Sequence, residues 1–284
     1  MERLRLTASL CVAVVVLLSP ISLFSQMTEV GIRSTDRNVL AGEAKKARII
    51  AETGVYTTED IDLLVRCLGN LTQFRLVFPS AVTPGQYTAE GSDTSLSEEA
   101  EKALVRLGRP SVPSLLKALR VGRYGESDSQ NTYKAARVLG HMRERSALPR
   151  LKELANSGEY GHQNERGADD EVPLAIARIA KTDAYEFLSS LLEMAKREDR
   201  VNGGLLEAVG YSEDERSVAV LNEYLKSADR SNKCDVIVAL GHTRSSKVPA
   251  LLEPYINSED QQFRECSRNA LKELGRSDLA PKSR

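Results

Sequence analysis

Apolar positions along this chain fall into a repeating pattern. A short signature, an apolar residue followed by Gly, recurs as Leu68-Gly69, Leu107-Gly108, Leu139-Gly140, Val209-Gly210, Leu240-Gly241 and Leu274-Gly275, with Ile179-Ala180 as a degenerate copy. From Gly108 onward the copies stand about 30 to 40 residues apart, the spacing of stacked supersecondary units. Four positions before the signature Gly (or Ala180) stands Val65, Leu104, Ala136, Ile176, Leu206, Ile237 or Leu271, and five before stands Leu64, Ala103, Ala135, Ala175, Leu205, Val236 or Ala270. Together with the residue directly before the Gly, these columns form the i, i+1, i+4 stripe of a buried helical face. Ala in the last column admits close helix contact. The closing Gly suits the left-handed residue that ends a helix, and Ala180 is the copy least suited to it.

A second helix follows each signature, begun by Ser111-Val112-Pro113-Ser114-Leu115-Leu116, Ala147-Leu148-Pro149-Arg150-Leu151 and Lys247-Val248-Pro249-Ala250-Leu251-Leu252. Pro in a first turn costs nothing, because its missing N–H has no intrahelical partner there. Ser111 and Ser146 are candidate caps. The unit is therefore a helical hairpin. Its pattern, Ala-x-x-x-Leu-Gly, turn, Val-Pro-x-Leu-Leu, resembles the HEAT-like repeats of the phycobilin-lyase type, best in Ala103 to Leu119, Ala135 to Leu154 and Val236 to Ile256. The resemblance implies an all-α fold, a right-handed α-solenoid of stacked helical hairpins over residues 97–284. It lacks the common Asp after Gly, and the family's activities vary, so it implies architecture rather than chemistry.

Before the repeats, Asn38 to Glu52 reads as a helix, and Thr57-Thr58-Glu59-Asp60 reads as the start of another ahead of Ile61, Leu64 and Val65. Residues 26–78 are thus expected to form an N-terminal helical cap region. Residues 79–96 contain Pro79, Pro84, Gly85 and Gly91 with several Ser and Thr, and are expected to be a loop or linker. Residues 1–25 begin with basic Arg3 and Arg5, continue through an apolar core from Leu10 to Leu18, and reach Pro20 and small residues. That is the form of a secretory signal cleaved after Ser25. The uncharged run over residues 6–24 leaves a membrane tether as the alternative. Either way the chain is expected to be exported, periplasmic or extracellular.

Composition narrows the function classes. In 284 residues, 39 Lys plus Arg oppose 40 Asp plus Glu, for a net charge of −1. No general positive field attracts nucleic acid. Aromatics are 5% and Trp is absent, which removes the usual base-stacking platform. Cys67, Cys234 and Cys266 show no Cys-x-x-Cys spacing and read as small buried residues, although Cys234 and Cys266 occupy consecutive units and pairing between them stays open.

No catalytic, cofactor or metal site is expected. His141 and His242 each follow a signature Gly, but lie about 30 Å apart in the expected stack and read as residues of solvated turns. The segment Gly122-Arg123-Tyr124-Gly125 leading to Asn131, and the segment Glu159-Tyr160-Gly161-His162-Gln163-Asn164, both link one hairpin to the next. They should lie on one edge of the solenoid, which makes Arg123, Tyr124, Asn131, Tyr160, His162 and Asn164 the candidate partner-binding residues. The resulting expectation is a noncatalytic protein-protein interaction scaffold or adaptor of the bacterial cell envelope, with a protein or peptide partner. The alternative is a lyase-like enzyme or accessory protein holding a small ligand in a groove of second helices. A reporter active only after export, fused behind residue 40, should be active. Lack of activity would remove the export assignment.

Overall fold

The computed structural model describes residue 33 and residues 35–70, 73–83, 86–120, 128–157 and 171–279. The leader sequence, and with it the choice between cleavage and a tether, lies outside the described residues. Among the described residues no helix is long and apolar enough to cross a membrane. The chain divides into two compact units at Leu107/Gly108.

The N-terminal unit holds α1 (Arg37–Thr53), α2 (Thr58–Cys67), β1 (Gln73–Thr83), β2 (Gln86–Ser95) and α3 (Leu96–Leu107). Asp36 caps α1 through the Asn38 N–H, and Gly54 closes it in the left-handed conformation at φ 67°. Thr57 and Asp60 form a reciprocal capping box, so α2 begins where the sequence places it. Helix α3 packs on α1 and α2. Its Glu99 is buried, yet satisfied by the Thr94 hydroxyl at 3.2 Å, Lys102 Nζ at 2.8 Å and Arg48 Nη2 at 3.5 Å.

The end of the expected helical cap region, residues 73–78, and part of the expected loop over residues 79–96 instead form an antiparallel hairpin, β1 pairing with β2 from Gln73↔Ser95 to Thr83↔Gln86 with an irregularity between Ala81 and Thr83. Pro79 and Gly91 argue against a strand only where a strand has neighbours on both sides. In a two-stranded ribbon every strand is an edge, so a residue without an N–H can face outward with no ladder bond lost.

The C-terminal unit contains α4 (Val112–Ala118), α5 (Asp128–His141), α6 (Leu148–Asn156), α7 (Glu171–Ala180), α8 (Tyr185–Arg197), α9 (Gly203–Tyr211), α10 (Glu215–Ser227), α11 (Arg230–His242), α12 (Val248–Ile256) and α13 (Gln261–Glu273). First helices α5, α7, α9, α11 and α13 touch in unbroken series, and each second helix packs against the first helix of the next hairpin. The apolar columns are the reason. In this unit, every residue four and five before the signature is buried, from Ala135 and Ala136 to Ala270 and Leu271. This unit is an all-α solenoid of stacked helical hairpins. Helix α3, expected as the first repeat helix, groups with the N-terminal unit.

The role of the signature Gly differs from expectation. Gly140, Gly210 and Gly241 lie within α5, α9 and α11 rather than at left-handed caps. Each sits where the next first helix crosses. A Cβ on Gly140 would stand 2.9 Å from Ala175 Cα, one on Gly241 would stand 2.7 Å from Ala270 Cα, and one on Gly210 would run into the Ala239 carbonyl. Glycine is required by close backbone approach. The left-handed positions fall later, at Arg143, Glu213 and Arg244 with φ of 54°, 56° and 56°, and at Lys181, directly after Ala180, with φ 54°. The Arg143 N–H bonds to Gly140 O at 3.1 Å and the Glu144 N–H to Leu139 O at 3.0 Å, the pair of bonds that closes a helix by a left-handed residue. Gly108 and Gly275 do take the expected conformation, both at φ 69°. Ser111 is no side-chain cap, since its hydroxyl donates to Gly108 O at 2.7 Å, and the Ser146 N–H is instead accepted by the Glu144 side chain.

Replacing Gly210 or Gly241 by Ala should destabilise the chain by about 1 to 3 kcal/mol, because the added methyl meets backbone that cannot yield. Gly42→Ala, in open space within α1, should stabilise by roughly 0.5 to 1 kcal/mol through helix propensity alone. Denaturant midpoints of the three variants check both directions, and equal shifts would refute the close-approach account.

Candidate functional site

Alternate helix direction in a stack of hairpins creates two edges. One carries the connections between hairpins, and the other carries the turns within them. Of the candidate residues, Arg123, Tyr124, Tyr160, His162 and Asn164 lie outside the described residues. Asn131 stands in the first turns of α5, half-buried, its Oδ1 buried without a hydrogen-bond partner in the described structure. The chain entering the first connection is well anchored. The Thr132 hydroxyl donates to Ala118 O at 3.0 Å and Arg120 O at 3.2 Å, and Arg150 Nε donates to Leu119 O at 2.7 Å. Residues 118–120 are thereby fixed to α5 and α6 where the Tyr124 segment departs.

The turn edge carries an arrangement that inspection of single repeats does not reveal. Left-handed residues of successive turns face one another, with Lys181 Nζ 2.8 Å from Glu213 Oε1 and Arg244 Nε 3.8 Å from the same oxygen. Arg145 pairs with Asp183 at 3.3 Å, and Arg216 pairs with both Glu186 and Asp214, linking further turns. The Lys181 hydrogen bond, helped by Arg244 and Arg143, holds the Glu213 carboxyl below its ordinary value.

Beside this chain of ion pairs lies a stack of side chains from three first helices. The Tyr211 ring of α9 lies against the His242 ring of α11, with centroids 4.1 Å apart and 15° between planes. The guanidinium of Arg178, from α7, stands 5.6 Å from the Tyr211 centroid, a cation–π distance. Burial raises the Tyr211 phenol above its ordinary value, partly opposed by Arg178. His242 is not the solvated turn residue that its sequence position suggests. Its side chain is only 9% exposed, with Nε2 3.9 Å from Glu207 and Nδ1 4.0 Å from Glu273. His141 at the same register is exposed. The difference arises because Tyr211 stands at this register in the unit before His242 and supplies a flat ring to pack on. Tyr211 and His242 standing at that register in consecutive units is the signal that could have found the stacked pair.

Cys234 of α11 and Cys266 of α13 are joined by a disulfide, with Cα atoms 5.7 Å apart, and Cys67 is buried in α2. Among the described residues no group of three or more His, Cys, Asp or Glu is placed to hold a metal ion. The arrangement offers polar recognition: hydroxyl, guanidinium and carboxylate groups held at fixed spacing by packed helices.

No protein-family model and no curated protein matches the chain. Among solved structures, the complex of CpcE and CpcF of phycocyanin lyase from Nostoc sp. PCC7120 is similar over 88% of this chain and 88% of that chain, at 21% identity and a TM-score of 0.47. A designed armadillo repeat protein is similar over 86% of this chain and 97% of that one, at 14% identity and a TM-score of 0.30. Both likenesses concern the fold alone.

Glu213 gives the turn edge a pH signature. A carboxyl held below its unfolded value of 4.5 stabilises the fold above that pH, and the contribution is lost as pH falls through the folded value. Glu213→Gln should therefore flatten the loss of stability below about pH 4.5. Thermal melts between pH 6 and pH 3 test this, and parallel curves for the two proteins would show that the ion pairs contribute nothing.

Proposed function

We propose that this chain is a noncatalytic interaction scaffold of the bacterial cell envelope that holds a protein or peptide partner on its solenoid. The observation that carries this reading is the direct contact of successive first helices through Gly–Ala crossings. Helices seated so closely keep the spacing of surface groups from one hairpin to the next. Repeat stacks of this kind present extended surfaces whose recognition groups are set by the repeat. Ion pairs between turns add to that register along one edge. The basic and apolar start of the chain supports delivery to the envelope.

The edge carrying the connections between hairpins is the proposed contact surface. Tyr124 and Tyr160 supply rigid amphipathic area, and Arg123, Asn131, His162 and Asn164 supply directional hydrogen bonds. The hydrogen bonds that fix residues 118–120 to α5 and α6 support this reading. The alternative, a lyase-like enzyme or accessory protein, calls for titratable groups gathered on the second helices. The Arg178, Tyr211 and His242 cluster that does form belongs to the first helices.

The test is affinity capture from the native envelope with the tagged full chain as bait, followed by binding measurements on Tyr124→Ala and Tyr160→Ala. A hot-spot tyrosine should cost about 2 kcal/mol or more, roughly a thirtyfold loss of affinity, with thermal stability unchanged. Wild-type affinity in both variants would remove this edge as the contact surface. Capture of nothing beyond a tag-only control would count against the scaffold reading itself.

A further inference from the structure

Helices α11 and α13 are joined at two places of unlike chemistry. Near the start of α11, Cys234 is bonded to Cys266, and Arg230 just before it pairs with Asp260 at 2.8 Å. At the turn end stands His242, eight residues beyond Cys234 and so about 12 Å further along the helix. One attachment is covalent. The other depends on a titratable ring.

Three first helices and the following turn present charged or titratable groups to that ring or to its stacking partner. From α9 come Glu207 at 3.9 Å and Tyr211 in stacking contact, from α13 Glu273 at 4.0 Å, from α7 Arg178 beyond Tyr211, and from the following turn Arg244. The two carboxylates are too far for direct hydrogen bonds, so the neutral ring is held mainly by packing. Adding a proton puts a charge on a side chain nine-tenths removed from water. The two carboxylates attract that charge, and Arg178 and Arg244 repel it.

We infer that His242 is an acid-sensitive latch on the last repeats, whose protonation loosens the turn end of α11 against α9 and α13 while the Cys234–Cys266 bond keeps the far end closed. Burial is the largest influence on the ring, Glu273 opposes it, Arg178 and Arg244 reinforce it, and the net result is a pKa below the ordinary 6.5. The sign follows directly. An opened joint, with its histidine in water, binds a proton more readily than the closed one, so the closed state is fully favoured above about pH 6.5 and loses ground as pH falls through that value. This inference does not rest on the scaffold reading, because it concerns the opening of the joint whatever the solenoid binds.

Amide hydrogen exchange on the oxidised full chain at pH 7.5 and pH 5.0, corrected for intrinsic rates, tests it. In wild type, protection at the ends of α9, α11 and α13, around Tyr211, His242 and Leu274, should fall roughly threefold to tenfold at the lower pH, while amides near Cys234 and Cys266 hold theirs. His242→Phe keeps a ring on Tyr211 but cannot take a proton, and should abolish the change. Equal pH responses in wild type and His242→Phe would overturn the latch, as would loss of protection spread evenly along α11. Should the Phe ring not be accommodated, Glu273→Gln gives an independent reading. It removes an attraction to the protonated ring, so the imidazole NMR titration of His242 should move to lower pH. A wild-type titration at or above pH 6.5, or an unmoved one in Glu273→Gln, would equally overturn the proposal.

Discussion

The C-terminal unit depends on how closely consecutive first helices can approach. At Gly140, Gly210 and Gly241 the neighbouring helix passes so near that a single methyl group would meet its backbone or Cα. The cost of glycine within a helix, about 1 kcal/mol relative to alanine, is accepted at these positions because the contact it permits buries a continuous stripe of Leu, Ile, Val and Ala. Leu139, Leu206, Ile237 and Leu240 are wholly enclosed. A helical repeat cannot bury this stripe alone, so the stack itself is the stable unit.

This close approach shapes the turn edge. With the Gly retained inside the helix, the chain must reverse afterwards, and the left-handed conformation falls on Arg143, Glu213 and Arg244 instead. Such conformations cost a non-glycine residue on the order of 1 to 3 kcal/mol each. Their side chains emerge at equivalent points of successive turns, where Lys181, at the same conformation, meets Glu213 and Glu213 meets Arg244. Individually these half-exposed pairs are weak. Their significance is geometric, because they bind turn to turn where the apolar columns end.

The same edge brings Arg178, Tyr211 and His242 into one stack, since residues at the ends of α7, α9 and α11 become lateral neighbours once the helices touch. Burial then acts on the two rings. It raises the tyrosine phenol and lowers the histidine, so both favour their neutral forms. A polar cluster built in this way answers to protons as well as to packing. In the last repeats it shares control of the α11–α13 contact with a covalent bond.

Much of this architecture is written locally. The boundaries of α1, the capping box at Thr57 and Asp60, the apolar columns and the Pro-initiated second helices follow from helical periodicity and from which backbone groups a short side chain can reach, both properties of nearby residues. The hairpin of residues 73–95 was hidden by Pro79 and Gly91, whose effect depends on whether a strand has a second neighbour. The purpose of the signature glycines, the pairing of Cys234 with Cys266 and the enclosure of His242 were decided only in three dimensions. In each case the partner, Ala270 for Gly241, Cys266 for Cys234 and Tyr211 for His242, lies in another repeat unit. Periodicity places a residue on a face of its own helix. Which atom of the next helix meets that face is set by the distance and angle at which two helices cross, and those are properties of the packed stack.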